Sequence, residues 1–458
     1  MTTLMLTPGT GSFYCGSCVR DNALARAMRA RGHNVLLVPM YLPHVVGEMQ
    51  ASEAAGQPLF FGGINVYLRH KTRVWRTLPR WITRMLDHPA LLRLASRRAG
   101  MTAPAELAAI TLSMLRCEDG PQRCELDRLI HFIRREADVR HIVLSNALLC
   151  GLARPLREAL GLPILCTLQG EDAFLDSLGP DHSPAAWAAL REAAAHVDCF
   201  TPVSSYYGEL MTRRMELDPH RVRVLHNGVD PRAIPLGSDR RPPSPADGPP
   251  RAVRIGFLAH TRPEKGLHRL VDAFLELSRQ PDPPPMVLDI AGTATAADRP
   301  YIRELQARIR TASRDGEVHW RINLPAADKT QFLHGIDLLC VPAEYGEAFG
   351  LYVLEALSAG RCVVVPRHAA FVELAQACPA VLLYDPQDPK GLASVLQSIV
   401  QDPARREALR PVARAAVEGP FSLDQMAADM LEILASVGPA SAPAGAAPAN
   451  LPLPTANR

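Results

Sequence analysis

Two doubly wound α/β domains, each built on a parallel sheet and facing the other across a cleft, are the fold this sequence predicts. Three observations carry that expectation. Short apolar runs alternate with helical stretches along most of the chain, the pattern of a parallel sheet with helices on both faces. The alternation is interrupted once, by "PLGSDRRPPSPADGPP" from Pro235 to Pro250, and then restarts. The length of 458 residues exceeds what one hydrophobic core comfortably organises.

The elements follow in order. "TLML" reads as the first strand, and "DNALARAMRARGHNV" places Leu24, Ala27 and Met28 on one helical face, with Gly32 as its stop. "VLLVPM" is the second strand. "HIVLS", "PILCTL", "CFTPVS" and "VRVLHNG" are further strand-like runs, separated by Ala- and Leu-rich helical segments. Beyond the linker, "VRIGFL", "MVLDIAG", "DLLCVPA", "CVVVP" and "AVLLY" repeat the plan. The boundaries read as an N-terminal domain over 1–234, a linker over 235–250 and a C-terminal domain over 251–419. A final helix over 420–437 and a Pro/Ala-rich tail over 438–458 complete the chain, the tail too poor in buriable surface to fold.

Composition excludes several classes. Hydrophobic content of 47% and charged content of 21% describe a soluble globular protein. The formal charge of +3 says little about partners by itself, and no nucleic-acid partner is expected. There is no apolar run of spanning length and no secretory pattern at the start, so a cytoplasmic location is expected. The cysteines lie mostly singly in apolar runs, as in a reducing compartment. A basic helical insertion over about 69–130 stands apart. Its 69–98 segment carries nine Lys/Arg, the single acid Asp87, and both Trp75 and Trp81. It reads as a solvated arginine-rich face, or as a peripheral docking surface for a phosphorylated acceptor or for anionic lipid at the inner membrane face.

The densest chemistry lies in "EYGEAFGLYVLEALSAGRCVVVP", Glu344 to Pro366. A strand leads through a tight loop into a helix, so the helix amino end points to the sheet edge where such folds bind ligands, and its N–H groups favour an anion. Glu347 and Glu355 are eight positions apart, about 12 Å along a helix. A retaining glycosidase pair sits about 5 Å apart. The two glutamates therefore grip different parts of one elongated ligand.

"EAFGLYVLE" resembles the Glu, seven residues, Glu signature of retaining glycosyltransferase family 4, the group 1 glycosyl transferases of GT-B fold. The likeness runs through "EALSAGRCVVVPRHAAFVEL" and extends to "FLAHTRPEKGLHRLVDAF" and "VRVLHNGVD". The resemblance implies that Glu347 meets the donor sugar and Glu355 the ribose, with Phe349, Gly350 and Leu351 supplying backbone. It places Lys265 at the departing diphosphate, where a cation about 4 Å away is worth roughly 4 kcal/mol at an effective dielectric of 20. Lys265 is one of only four lysines, with Lys71, Lys329 and Lys390, among 50 basic residues. Two departures stand out. His260, read as donor-binding, occupies the family's usual arginine position. Either the diphosphate holds it protonated or Arg262 supplies the second cation, and Arg262 is preferred because its charge is permanent. Gln169, in "TLQGEDAF", replaces a common histidine, with Glu171 and Asp172 beside it as further sugar or acceptor contacts.

The opening "TPGTGSFYCGSC" follows the first strand, and Tyr14 occupies the place of the third glycine of a dinucleotide fingerprint. The resemblance instead brings Gly11 and Ser12 to the donor phosphates. Cys15 and Cys18 read as structural helix-start thiols, as half a zinc site completed by Cys117 and Cys124, or as a redox pair. The sequence contains no Asp-x-Asp, so no metal and no cofactor beyond the nucleotide sugar is expected. The implied function is metal-independent, retaining transfer to a glycan, lipid-linked or small-molecule acceptor. A GT-B-fold protein that binds without transfer, or a nucleotide-sugar epimerase, are the other readings. The insertion carries its own prediction: replacing Arg76, Arg80 and Arg84 by Glu lowers co-sedimentation with anionic vesicles several-fold. Unchanged sedimentation would remove the membrane reading.

Overall fold

The computed structural model describes residues 1–8, 16–40, 104–117, 123–136, 138–237 and 251–438. The opening loop with Gly11, Ser12 and Cys15, the basic segment 69–98, most of the linker and the tail beyond 438 lie outside the described residues.

The N-terminal sheet has β1 (Thr2–Thr7), β2 (Asn34–Pro39), β3 (Val139–Leu144), β4 (Ile164–Leu168) and β5 (Cys199–Pro202). All pairs are parallel, in the order β2-β1-β3-β4-β5. Every residue of β1 and β4 is buried, as expected of strands covered on both faces. The covering helices include α1 (Gly16–Ala30), α2 (Pro104–Leu115), α3 (Arg123–Arg135), α4 (Ala153–Leu160), α5 (Glu171–Ser177), α6 (Ser183–Ala194) and α7 (Ser205–Met215). Met114, Leu115, Leu126, Leu129 and Ile133 of the 104–135 stretch are core residues. That half of the region read as an insertion is thus part of the domain's packing.

"VRVLHNG" does not form the expected strand. It makes one bridge, Val222 with Phe200, and Arg223 and Leu225 donate to the Phe200 and Pro202 carbonyls. After those bonds the chain departs toward the second domain.

The second sheet contains β6 (Val253–Leu258), β7 (Met286–Gly292), β8 (Val318–Ile322), β9 (Leu338–Cys340), β10 (Cys362–Pro366) and β11 (Val381–Tyr384), ordered β11-β10-β9-β6-β7-β8 and parallel throughout. Its edge strand β8, "VHWRI", went unread in the sequence because only Val318 of its five residues is fully buried. Its helices are α8 (Leu267–Ser278), α9 (Arg299–Thr311), α10 (Lys329–Gly335), α11 (Leu351–Ser358), α12 (Ala370–Ala377), α13 (Gly391–Val400) and α14 (Pro403–Glu418). A final helix, α15 (Leu423–Ser436), returns to the first domain. Its Met426, Met430 and Leu434 pack in one cluster with Leu24, Ala25 and Met28 of α1. Full burial of each such Leu or Met is worth about 1.5–3 kcal/mol.

A second tie joins the domains beside the cleft. Glu373 of α12 accepts from the Ser205 backbone N–H at 2.9 Å and the Ser205 hydroxyl at 2.9 Å, capping α7 from the other domain. The same carboxylate meets His226 Nε2 at 2.5 Å. Ser204, the N-cap of α7, donates to the Ala348 carbonyl at 2.7 Å. Burial opposes ionisation of Glu373, but the bonds from His226 and Ser205 outweigh it and hold the carboxyl below its ordinary value. A lowered carboxyl pKa stabilises above the ordinary glutamate range and loses that contribution as pH falls through the lowered value. Glu373→Gln is expected to cost about 1–3 kcal/mol and to widen the interdomain angle. Thermal unfolding and small-angle scattering at neutral pH would read both, and an unchanged profile would show that the tie contributes nothing.

Candidate functional site

In both sheets the strand order reverses beside the first strand, between β1 and β3 and between β6 and β9. Ligands of open parallel sheets bind at the carboxyl ends of such switch points. The two carboxyl edges here meet in one cleft of about 430 Å³, lined by Gly16, Ser17, Gln169 and Asn227 on one side and by His260, Lys265, Lys329 and the Glu347–Tyr352 loop on the other.

The C-terminal wall is set by two glycines. Gly266 has φ +72°, and a Cβ there would stand 1.8 Å from the Pro342 carbonyl oxygen. Only glycine lets the start of α8 lie against the chain leaving β9, which brings Lys265 to Glu347. Gly350, at φ +90°, turns the loop into α11 so that the helix amino end opens on the cleft.

Lys265 Nζ donates to Glu347 Oε2 and to Tyr345 Oη, each at 2.5 Å. Tyr352 donates to the same Glu347 oxygen at 3.0 Å. The ammonium also lies 4.8 Å from the Tyr345 ring centre and 5.4 Å from that of Tyr352. Burial first, then the Glu347 charge, push both tyrosine pKa values far up, so both hydroxyls keep their protons. Glu355 is held separately by Lys329, at 2.6 Å. The two glutamates therefore have different cationic partners.

His260 faces the cleft, with Nδ1 2.9 Å from Thr293 Oγ1 and Nε2 3.1 Å from Asp298 Oδ2. Burial first, then Arg262, lower its pKa, against the opposing pull of Asp298. Arg262 does not line the cleft. It is 57% exposed and turns toward Asp298, 3.7 Å away. Of the two candidate cations, the histidine is the one placed at the site.

On the N-terminal wall, Gln169 lines the cleft while its two acidic neighbours do not. Glu171 is buried and accepts from the backbone N–H groups of Ala147, Gln169 and Gly170 and from the Tyr207 hydroxyl, at 2.8–3.0 Å. Burial raises its pKa despite those bonds. It braces the loop that presents Gln169. Asp172 shares the Tyr207 hydroxyl at 3.0 Å. Beneath Gln169 lies a buried ion pair, Arg20 Nη1 to Asp21 Oδ1 at 2.8 Å. Arg20 Nε donates to Asn227 Oδ1 at 3.0 Å.

The sequence reading missed Tyr345, Tyr352, Lys329, Asn227 and the Arg20–Asp21 pair. Lys329 carried a signal, being one of four lysines. Asn227 lay inside a quoted motif without a role. Tyr345 and Tyr352 also lay inside a quoted motif without a role, and Arg20 and Asp21 carried no local signal because their links to Asn227 and Gln169 are distant in sequence. Cys18 and Cys117 are buried; Cys15 and the side chain of Cys124 lie outside the described residues. No group of three potential metal ligands occurs among the described residues. No described helix is long and apolar enough to cross a membrane.

Comparison with known proteins identifies the family. Residues 247–416 match the family described as "Glycosyl transferases group 1", and residues 118–233 match "Glycosyltransferase Family 4". A D-inositol 3-phosphate glycosyltransferase of Jonesia denitrificans is 33% identical over 225 residues, 47% of this chain and 51% of the relative. A glycogen synthase of Mycobacterium tuberculosis is 26% identical over 246 residues, 54% of this chain and 55% of the relative. The chain spans about half the length of these curated relatives. HepE of Anabaena, crystallised with UDP and glucose, superposes with a TM-score of 0.65 at 16% identity, over 95% of this chain and 100% of that one. With family models matched over residues 118–233 and 247–416, this chain belongs to glycosyltransferase family 4, the group 1 glycosyl transferases.

Proposed function

We propose that this protein transfers a sugar from a nucleotide-sugar donor to a hydroxyl-bearing acceptor, with retention of configuration and without a divalent metal. The observation that carries the reading is the Lys265–Glu347 pair, set at the switch point of the second sheet beside the amino end of α11. The pair presents a cation for a diphosphate and a carboxylate for sugar hydroxyls within one short reach. Glu355, at the far side of the loop, suits the ribose. HepE, which binds UDP and glucose, makes a uridine donor the first to try. The acceptor enters from the N-terminal wall. Its oxygen bonds to the anomeric carbon as the bond to the phosphate oxygen breaks, on the same face, and its proton passes to that phosphate oxygen. Lys265 and the helix end stabilise the charge that develops there. Domain closure excludes water from the intermediate. A donor-binding protein that does not transfer is the second reading, favoured by the position of Arg262 outside the cleft.

Glu347→Gln is expected to lower kcat for transfer from UDP-glucose by about 10²–10³-fold, with UDP binding retained. Product formed at the native rate would remove the sugar role of Glu347, and absence of transfer in the native protein with UDP still bound would favour the second reading.

The pH dependence of binding is a separate expectation. His260 lies among Thr293, Asp298, Arg262 and Lys265, and is held below the ordinary histidine value of 6.5. A bound diphosphate favours its charged form, so binding takes up a proton. UDP affinity then falls as pH rises from the lowered free value through the raised bound one, by about tenfold per unit separating them. His260→Arg is expected to flatten this profile, as titration calorimetry from pH 5.5 to 8.5 would show. The same slope in that variant would assign the proton to another group.

A further inference from the structure

The buried Arg20–Asp21 pair has a consequence for the wall above it. Gln169 and Asn227 both carry amides, whose two ends are chemically opposite and whose orientation is settled only by their partners. Gln169 Nε2 lies 2.6 Å from the Ser145 carbonyl oxygen and 3.5 Å from Asp21 Oδ1. Both partners only accept, so the NH₂ end must face them. Asn227 Oδ1 lies 3.0 Å from Arg20 Nε, which only donates, so the carbonyl end must face the arginine. The opposite ends, Gln169 Oε1 and Asn227 Nδ2, make no hydrogen bond among the described residues and are not among their enclosed unpartnered polar atoms. Both residues line the cleft.

We propose that the Arg20–Asp21 pair fixes these two amides in opposite senses, so that the N-terminal wall offers one acceptor and one donor and selects a neutral, hydroxyl-bearing donor sugar over a uronate. A sugar hydroxyl satisfies both ends at once, donating to Gln169 and accepting from Asn227. A carboxylate satisfies Asn227 alone and sets its charge against the Gln169 carbonyl, with Glu347 on the facing wall. Arg20 does not offset that charge. Its side chain is 1% exposed, with Nη1 on Asp21 and Nε on Asn227, so it is enclosed beneath the wall. Lys265 is committed to Glu347 and the diphosphate. This inference rests on the nucleotide-sugar reading above and adds to it the class of sugar.

The test is calorimetric titration of the full chain, without acceptor, with UDP, UDP-glucose and UDP-glucuronate. If UDP gives no heat, GDP, GDP-mannose and GDP-mannuronate take their places. The glucose donor is expected to bind at least tenfold more tightly than the glucuronate donor. Asn227→Asp keeps a partner for Arg20 while replacing the unpartnered NH₂ by an acceptor. It should weaken the glucose donor about tenfold and leave UDP unchanged. Gln169→Leu should shrink the gap between the two donors to under threefold, again with UDP unchanged. Equal affinity of the native chain for the neutral and acidic donors would overturn the proposal, as would a gap untouched by both variants. If neither UDP nor GDP binds, the nucleotide-sugar reading itself falls, and this inference with it.

Discussion

The contact on which the site depends is the one between Lys265 and Glu347, joined at 2.5 Å within the cleft. Each residue belongs to a different βα unit of the second sheet, and neither reaches the other unless β6 and β9 are neighbours. That adjacency is the switch point itself. The close packing of Gly266 on the Pro342 carbonyl then brings the two loops together. A buried charge with no partner would be costly, and here each group is the other's partner at the place where a diphosphate and a sugar would meet. Tyr345 and Tyr352, their protons held by burial and by the glutamate charge, fix the geometry from either side.

The opposite wall solves a different problem. It contributes no permanent free charge among the described residues that line the cleft, and works instead through oriented amides over a buried ion pair. Glu171 exemplifies the cost of such orientation. A carboxyl with a raised pKa is retained inside the domain because three backbone N–H groups and a tyrosine hydroxyl converge on it. The two walls are held in register by α15 across α1 and by Glu373 capping α7. Charge lies on the donor side and neutral polarity on the other, as suits a ligand with an anionic end and a hydroxylated end.

Much of this was legible in the sequence, for identifiable reasons. Strands covered on both faces, such as Ile164–Leu168 and Cys362–Pro366, are apolar but for Thr167 and read directly. The half-exposed edge strand Val318–Ile322 was not, since only one of its five residues is fully buried. "VRVLHNG" has strand composition but leaves the sheet after two backbone bonds, a tertiary choice that propensity does not encode. In the site, Glu347, Glu355, Lys265 and the Phe349–Leu351 loop were legible because they crowd into local motifs. Arg262 was preferred to His260 for its permanent charge, yet placement separates them: the arginine turns outward to Asp298 while the histidine faces the cleft. Glu171 read as a contact and is a brace. Arg20, Asp21 and Asn227 were invisible because the bonds that give them a role, Arg20 to Asn227 and Gln169 to Asp21, span 207 and 148 positions.

The most direct test of the account is the affinity of UDP-glucose for the native chain and for Lys265→Met, titrated in the presence of a chelator. The account predicts that the native chain binds with divalent ions removed, and that loss of the ammonium weakens binding by roughly two orders of magnitude. Equal binding by the two proteins, or native binding that appears only when a divalent ion is restored, would contradict it.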